Sequence, residues 1–486
     1  MRPLALFLFV ACLPAVWQME QKALDEFVNL LDPHYSYTVL EKKTFNFLYD
    51  FTVITINMTS QKWLDESEVD KPVWSHNLTI YVPKTRKVEK SCLLFIRPDK
   101  KDESTSPDPF HFKDFGALVL STKSVVAELR PVPDQPLTFY NHPLGHKNSR
   151  GYDIMAYSWW RFLNDMTAPP HWLVQFPMVK ATIRAIDTIT AYVKEEYYRD
   201  ITKFTLAGIS MAGWASWLTA AVDKRVEAII PIAMDLLNIN ENLHHQYRAY
   251  CGWSYMLRSF YEMNITQELD SPRFSLLASH VDPLAYNERY TNVAKYIIDL
   301  SGDEIFQPDN SHYYFSQLEG KKYLRILPNY DQSFSGNDTF MRNISPFYVR
   351  MVQKKYPLPN ISWNTSTTNT GGIITLRTYN VHRVYAWYAD TVGGTRRDFR
   401  TKIAAGSSTQ NNPVKWTKTS PLKGVKDVYK AEFQNPAKGW RAFFIEAVYT
   451  GGVVKAPFTA TSELLIIPDT FPCPDCDGDG CRGTLV

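Results

Sequence analysis

The strongest constraint on the fold is an alternation of helical and strand-like segments in the middle of the chain. Apolar residues recur at helical spacing from Val179 to Val193, and a short apolar run follows at 204–207. A second helical segment begins near Trp214, and another apolar run, AIIPIAMDLL, begins at Ala228. Strands buried on both faces have continuous apolar sequences, and the helices between them cover a parallel sheet. This pattern predicts an α/β protein with a mostly parallel sheet and helices on both faces.

The alternation continues to about residue 356 and then stops. Buried runs recur as KYIIDL from Lys295 and KYLRIL from Lys322. Beyond Pro357-Leu358-Pro359 the chain is rich in Thr, Tyr and Val, with turn signals at three Gly-Gly pairs. We therefore predict an α/β domain over residues 16–356, a β-sandwich-like domain over 357–470 and a Cys- and Asp-rich tail over 471–486.

The N-terminus is typical of a secretory signal. Arg2 precedes an apolar stretch from Leu4 to Leu13, and there are small residues near its end, at Ala11 and Ala15. The stretch is too short to span a bilayer as a helix, and no later stretch is typical of a membrane anchor. We predict a signal peptide over residues 1–15 and a secreted, extracellular protein.

Seven Asn-x-Ser/Thr sequons agree with that location. They lie at Asn57, Asn77, Asn264, Asn337, Asn343, Asn360 and Asn364. Together with the signal they predict an N-glycosylated surface. The formal net charge of +3 is too small for a nucleic-acid footprint, and no basic cluster dominates.

The cysteines predict at least one thiol outside intramolecular pairs. Cys12 leaves with the signal, and the five that remain are an odd number. The tail has zinc-like CxxC spacing and a run from Asp475 to Gly480 like the start of a calcium loop. Neither pattern is complete, because a fourth zinc ligand is missing and Val486 stands where a calcium loop needs Glu. We predict a flexible tail with a local disulfide, and no metal or cofactor.

The sharpest local motif is Gly208-Ile-Ser210-Met-Ala-Gly213, which lies between an apolar run and a helix. It resembles a nucleophile elbow, in which a tight turn exposes a serine hydroxyl above the sheet. A glycine-eased turn with an N-capping serine is the structural alternative. In hydrolases with such an elbow the acid follows the serine along the chain. Asp303 is the candidate acid, and Glu304 and Asp309 are its rivals.

From about residue 74 to 348 the chain resembles the PhoPQ-activated pathogenicity-related protein family, which includes a secreted repressor of proliferation in social amoebae. The matching motifs are PMVKATIRAIDTI from Pro177, GISMAGWASWLTAAVDKRVEAIIPIAMDLLN from Gly208, LHHQY from Leu243, and the segment from KYIIDLSGDEIFQPDNSHYYF through KYLRILPNYDQS. The resemblance implies an α/β-hydrolase core followed by a β-rich domain. It also implies a catalytic triad, and it assigns Ser210 and Asp303 to two of its positions.

The departures from the family pattern concern the chemistry. Gln332 stands where the family places its catalytic His, and Met211 and Ala212 replace two basic residues of the elbow. The early loop that should supply an oxyanion donor contains Pro98, which has no N–H. The backbone of Met211, the residue after the nucleophile, is the remaining oxyanion candidate.

A neutral amide cannot accept the proton of Ser210, so Gln332 is expected to reach the hydroxyl only as a hydrogen-bond partner. The other histidines are expected to be structural, and they lie at 142, 146, 171, 244, 245, 280 and 312. Two hypotheses follow. The protein is a non-catalytic pseudo-hydrolase that binds an unidentified extracellular or cell-surface protein, or it is an active serine hydrolase, an esterase or peptidase, that draws its base from elsewhere.

Overall fold

The architecture is described from a computed structural model. It covers residues 23–46, 50–85, 89–98, 109–332, 338–353, 357–406, 408–450 and 456–486. The predicted signal peptide and Asn337 lie outside these residues. Among them, no helix combines the length and the apolar character that a membrane crossing requires.

The secondary structure alternates as predicted in the first two thirds of the chain. The helices are α1 (residues 23–29), α2 (Pro109–Thr122), α3 (Tyr152–Asn164), α4 (Gln175–Tyr197), α5 (Met211–Val222), α6 (Ile239–Tyr250), α7 (Arg258–Glu262), α8 (Pro272–Val281) and α9 (Asp338–Val352). The strands of this part are β1 (Ser36–Phe45), β2 (Phe51–Lys62), β3 (Val73–Pro83), β4 (Ser91–Ile96), β5 (Val125–Arg130), β6 (Lys203–Ile209), β7 (Val226–Ile232), β8 (Ala294–Leu300) and β9 (Lys322–Leu327).

These strands form one sheet in the order β1-β2-β3-β5-β4-β6-β7-β8-β9. The six strands β5, β4, β6, β7, β8 and β9 run parallel to one another. Strands β3, β2 and β1 continue the sheet beyond β5, each antiparallel to the strand before it. Parallel strands end at the same edge of a sheet, where open α/β sheets place their ligands. The residues that follow β6, β8 and β9 therefore meet at one edge.

Two hydrophobic clusters cover the two faces of the sheet. Leu94 of β4 belongs to one, with residues of α3, α4, α5 and α8, and Leu93 belongs to the other, with residues of α2 and α9. Successive side chains of a strand point to opposite faces, so a continuous apolar strand fills both clusters. The α/β-hydrolase class predicted from the sequence is confirmed by this layered arrangement.

A β-rich C-terminal region is also present. Its strands are β10 (Ile361–Thr368), β11 (Gly371–Thr378), β12 (Arg383–Asp390), β13 (Lys402–Ala405), β14 (Ser408–Asn411), β15 (Thr417–Lys418), β16 (Val428–Gln434), β17 (Arg441–Tyr449), β18 (Phe458–Thr461) and β19 (Leu465–Ile467). Strands β10, β11 and β16 form a separate sheet. Buried residues of β11 and β16 share a cluster with those of β12 and β17, which gives two packed layers.

This region does not pack independently of the α/β part. Strand β18 pairs with β9 through Thr461 and Leu324, so the central sheet continues into β17 and β12. Arg325 of β9 also forms an ion pair of 2.6 Å with Glu446 of β17. The boundary near residue 357 stays a prediction, and in the structure the two parts share one sheet and its hydrophobic clusters.

The prediction of a flexible tail is wrong. Cys251 at the end of α6 is bonded to Cys473, and Cys476 is bonded to Cys481. The backbone of Trp253 donates to the carbonyl of Thr484 at 2.8 Å. The tail is docked because its backbone finds partners on the segment after α6, which its own sequence does not reveal. Cys92 is a free, buried thiol.

Candidate active site

The predicted elbow is present at the end of β6. Ser210 lies between β6 and α5 with φ 54° and ψ −122°, a conformation that costs a non-glycine residue energy. A Cβ on Gly208 would meet the carbonyl oxygen of Ala212 at 2.2 Å, and one on Gly213 would meet Met234 Cβ at 2.9 Å. The two glycines therefore allow the helix to start directly against the strand. The serine does not cap α5 with its side chain, so the structural alternative does not hold.

Asp303 and Gln332 lie together at the same edge of the sheet. Asp303 follows β8 and is 2% exposed, and Gln332 follows β9. The side-chain amide of Gln332 donates to both carboxylate oxygens of Asp303, at 3.1 and 3.0 Å. Its backbone N–H donates to Glu304 at 3.1 Å. Gln332 thus occupies the position beside the acid that a triad base would take.

Asp303 is the acid that the local fold supports best. Its Oδ1 accepts the backbone N–H groups of Ile305 and Phe306, at 2.7 and 3.0 Å. Burial raises the pKa of Asp303 to about 7, against the opposing effect of these hydrogen bonds. Its rival Asp309 instead forms ion pairs with His245 and Arg397.

The hydroxyl of Ser210 is held by a tyrosine rather than by Gln332. The phenol of Tyr152, the first residue of α3, lies 2.8 Å from Ser210 Oγ. Within the described part of the chain, no hydrogen bond joins Gln332 to Ser210, so that expectation is wrong. Burial raises the pKa of Tyr152 well above its ordinary value, and the phenol stays neutral at pH 7 and cannot act as the missing base. No motif marks Tyr152, which is 58 residues from Ser210.

The oxyanion donors stay a prediction. Met211 begins α5, and the first N–H groups of a helix have no partner within it, so its backbone N–H is available to donate. In the early loop, the carbonyl of Pro98 accepts from Gln135, and Gln135 in turn accepts the N–H of Gly151 at 2.7 Å. Arg97 forms an ion pair with Glu128 at 3.1 Å. Arg97 and Pro98 are therefore held by these contacts, and Pro98 has no N–H to offer.

An apolar cavity adjoins the pair of hydroxyls. It has about 30 Å³ of free space and a mostly apolar lining, which includes Tyr152, Trp159, Trp214, Trp253, Phe260 and Phe306. Because the lining contains no charged group, the cavity suits a small apolar group rather than an ion.

Two more carboxyls lie buried near the acid. Asp235 follows β7 and accepts from the hydroxyl of Tyr314, and its Oδ2 has no partner in the described residues. Neither carboxylate oxygen of Asp299 in β8 has a partner there either. Burial, and repulsion between these carboxyls and Asp303, raise the pKa values of Asp235 and Asp299. The edge of the sheet under Asp303 therefore favours protonated carboxyls.

The other histidines do not replace the base. His245 is hydrogen-bonded to Asp309, and His244 is hydrogen-bonded to both Asp270 and Asp475. His142 and His146 lie beside Asp153, and His312 is exposed. Within the described residues, none of them is hydrogen-bonded to Ser210.

Burial bears on one of the predicted glycosylation sites. Asn77 is 7% exposed and lies in β3, so a glycan on its side chain would have to displace the residues that cover that face of the sheet. Asn264, Asn360 and Asn364 are exposed, and Asn57 and Asn343 are half-buried. Burial therefore disfavours glycosylation of Asn77 in the folded protein, and glycosylation of the other sites stays a prediction.

The strand order, the elbow and the position of the acid define an α/β-hydrolase-fold protein in which the base position holds an amide. A sequence profile of the PhoPQ-activated pathogenicity-related proteins matches residues 24–400, and the chain belongs to that family. It is 32% identical to autocrine proliferation repressor protein A of Dictyostelium discoideum, over 95% of this chain and 94% of that one.

Solved structures with a similar fold are esterases of low sequence identity. Acetyl xylan esterase 1 from Thermoanaerobacterium sp. JW/SL YS485 has a TM-score of 0.41 and 12% identity, over 65% of this chain and 87% of its own. An acetyl xylan esterase from Paenibacillus sp. R4 has a TM-score of 0.42 and 12% identity, over 65% of this chain and 88% of its own.

Proposed function

We propose that this protein is a secreted, N-glycosylated pseudo-hydrolase that acts by binding an extracellular or cell-surface protein. The observation that carries the proposal is the pairing of Gln332 with both carboxylate oxygens of Asp303. The amide stands where a triad needs an imidazole, and it cannot take a proton from Ser210 at neutral pH. Similarity to a proliferation repressor along nearly the whole chain supports a signalling role.

A second feature supports the absence of triad chemistry. The phenol of Tyr152 holds the hydroxyl of Ser210. It is neutral at pH 7, as an ordinary phenol is, and burial raises its pKa further. A serine whose partner cannot accept its proton remains a weak nucleophile. The lack of an N–H at Pro98 removes one candidate oxyanion donor, and loss of such a donor alone costs on the order of 10²–10³ in turnover.

One observation favours the alternative of an active serine hydrolase. Ser210 keeps the energetically costly backbone conformation of an elbow, and the acid is still in place. Under this alternative the enzyme is an esterase or peptidase, and its base comes from outside the predicted position.

The test compares ester turnover by the wild type, Ser210→Ala, Gln332→His and the double variant Gln332→His/Tyr152→Phe on a panel of activated esters. We expect no Ser210-dependent turnover in the wild type and a gain in the histidine variants, largest in the double variant. Labelling with a fluorophosphonate probe gives a second readout, because it requires an activated serine. Wild-type turnover or labelling that Ser210→Ala abolishes would refute the pseudo-hydrolase proposal.

A further inference from the structure

Two histidines and an aspartate converge at the start of α3, outside the site described above. His142 and His146 lie in the loop before the helix, and Asp153 is in its first turn. His146 Nδ1 lies 3.0 Å from Asp153 Oδ1, and His142 Nε2 lies 3.7 Å from the same oxygen. The donor atoms of all three residues lie within 4.8 Å of one another.

The buried member of the group lacks a partner. The His142 side chain is 1% exposed, and its Nε2 has no hydrogen-bond partner among the described residues. The carboxylate oxygen Asp153 Oδ1 lies 3.7 Å from this nitrogen, which is longer than a hydrogen bond. Such a nitrogen is costly unless a ligand satisfies it.

The donor set and its spacing suit a metal ion. Zn²⁺ binds imidazole nitrogen and carboxylate oxygen at about 2.0–2.2 Å, which sets tetrahedral ligand atoms roughly 3.4 Å apart. The two separations from Asp153 Oδ1, 3.0 and 3.7 Å, bracket this value. The rings of His142 and His146 are stacked with their centres 4.7 Å apart, so one ring must turn before both nitrogens face the same ion. We propose that His142, His146 and Asp153 bind a divalent transition-metal ion such as Zn²⁺, with water in the fourth position.

Binding must change the tautomer of His142. The backbone N–H of Leu144 donates to His142 Nδ1 at 3.2 Å, so in the metal-free protein the proton lies on Nε2. A metal on Nε2 requires that this nitrogen lose its proton and that Nδ1 carry one. The contact with Leu144 then breaks, and the loop at 142–146 shifts. Metal binding is therefore coupled to the conformation of this loop.

The proposed metal site lies next to the residue that holds the candidate nucleophile. Asp153 follows Tyr152, the residue that holds the Ser210 hydroxyl. An ion that joins the loop to the first turn of α3 would fix the helix end that carries this tyrosine. The role is one of positioning, because none of the three residues contacts Ser210 in the described structure.

The test measures zinc on the full-length protein after treatment with EDTA, equilibration with ZnSO₄ and removal of free metal. We expect one zinc per chain by mass spectrometry, and a melting temperature that rises with zinc concentration. Cobalt(II) in place of zinc should give the visible absorption of a tetrahedral site. The variants His146→Ala and Asp153→Asn should lose the metal, the cobalt absorption and the zinc-dependent melting shift.

Two variants serve as controls. His312→Ala removes an exposed histidine elsewhere, and His244→Ala removes the histidine nearest the disulfide of Cys476 and Cys481. Both should retain one zinc per chain. The side chain of His146 is 38% exposed, so we expect His146→Ala to fold normally. Loss of zinc from this variant therefore reports on the binding site and not on unfolding. Substoichiometric zinc in the wild type, or full retention in His146→Ala and Asp153→Asn, would overturn the proposal.

Discussion

The elbow and the acid–base side of this site differ in how strongly packing restricts their residues. The elbow keeps the glycines, the turn and the exposed end of the strand that a nucleophile needs, whereas the acid–base side keeps Asp303 and replaces its partner by Gln332. The glycines of the elbow are required by the contact between β6 and α5. Gln332 is half-buried in a loop after the last strand of the parallel sheet, where packing demands less. An intact elbow is therefore evidence of the fold and does not by itself indicate catalysis.

The largest expected effect comes from Gly208→Ala, which tests whether the elbow is a packing requirement. Its Cβ would overlap the backbone oxygen of Ala212, which cannot rotate away. We expect the free energy of unfolding to fall by about 3 kcal/mol, measured by urea denaturation. The control is Gly480→Ala, whose Cβ would meet nothing within 4 Å and should change stability by no more than about 0.5 kcal/mol. Equal effects of the two variants would contradict the packing argument.

The pH dependence of stability tests the acid side. The folded-state pKa of Asp303, about 7, lies above its ordinary value of 3.8, so between these values the folded protein binds more protons than the unfolded chain. The free energy of unfolding should therefore fall as pH rises from about 4 to 7, by up to about 1.4 kcal/mol per pH unit for this group, and Asp235 adds in the same direction.

Urea denaturation at pH 5 and pH 8 measures this dependence. Asp303→Asn should reduce the difference between the two stabilities, because the amide does not titrate. A wild type that is more stable at pH 8 than at pH 5 would mean that other groups outweigh the buried carboxyls.

A comparison of Ser210→Gly with Ser210→Ala measures the energy stored in the elbow. Both variants lose the hydroxyl and its bond to Tyr152, but only glycine adopts φ 54° and ψ −122° without strain. We expect the glycine variant to be more stable by about 1 kcal/mol in thermal or urea unfolding. If the alanine variant is as stable as the glycine variant, the elbow stores no such strain.

The smallest expected effect is that of Gln332→His on stability. The side chain is half-buried, so the change should stay within about 1 kcal/mol at pH 7. A protonated imidazole beside Asp303 would lower the pKa of that carboxyl, and the variant should show a weaker pH dependence than the wild type. If the free energy of unfolding, measured by urea denaturation, falls by several kcal/mol, Gln332 is restricted by packing. The loop that carries Gln332 would then be as strictly constrained as the elbow.

Much of the site was predictable because it depends on local pattern and chain order. The elbow has a glycine pattern and lies between a strand and a helix. Asp303 and Gln332 follow the second and the third buried strand after the elbow. What could not be predicted lies in residues without a local signal. Tyr152 has no motif, and its contact with Ser210 depends on how α3 crosses the edge of the sheet. The convergence of His142, His146 and Asp153 depends on the path of the loop before α3.

The sequence by itself determined the alternation of strands and helices, the class of fold, the family and the order of Ser210, Asp303 and Gln332. These follow from periodicity and from short motifs, which act over one strand or one turn of helix. Only the tertiary structure decided that Cys251 pairs with Cys473 at a separation of 222 residues, that β18 joins β9 in one sheet, and that a neutral phenol holds the serine. Such contacts join segments far apart in the chain, so they depend on how the whole chain packs rather than on any local preference.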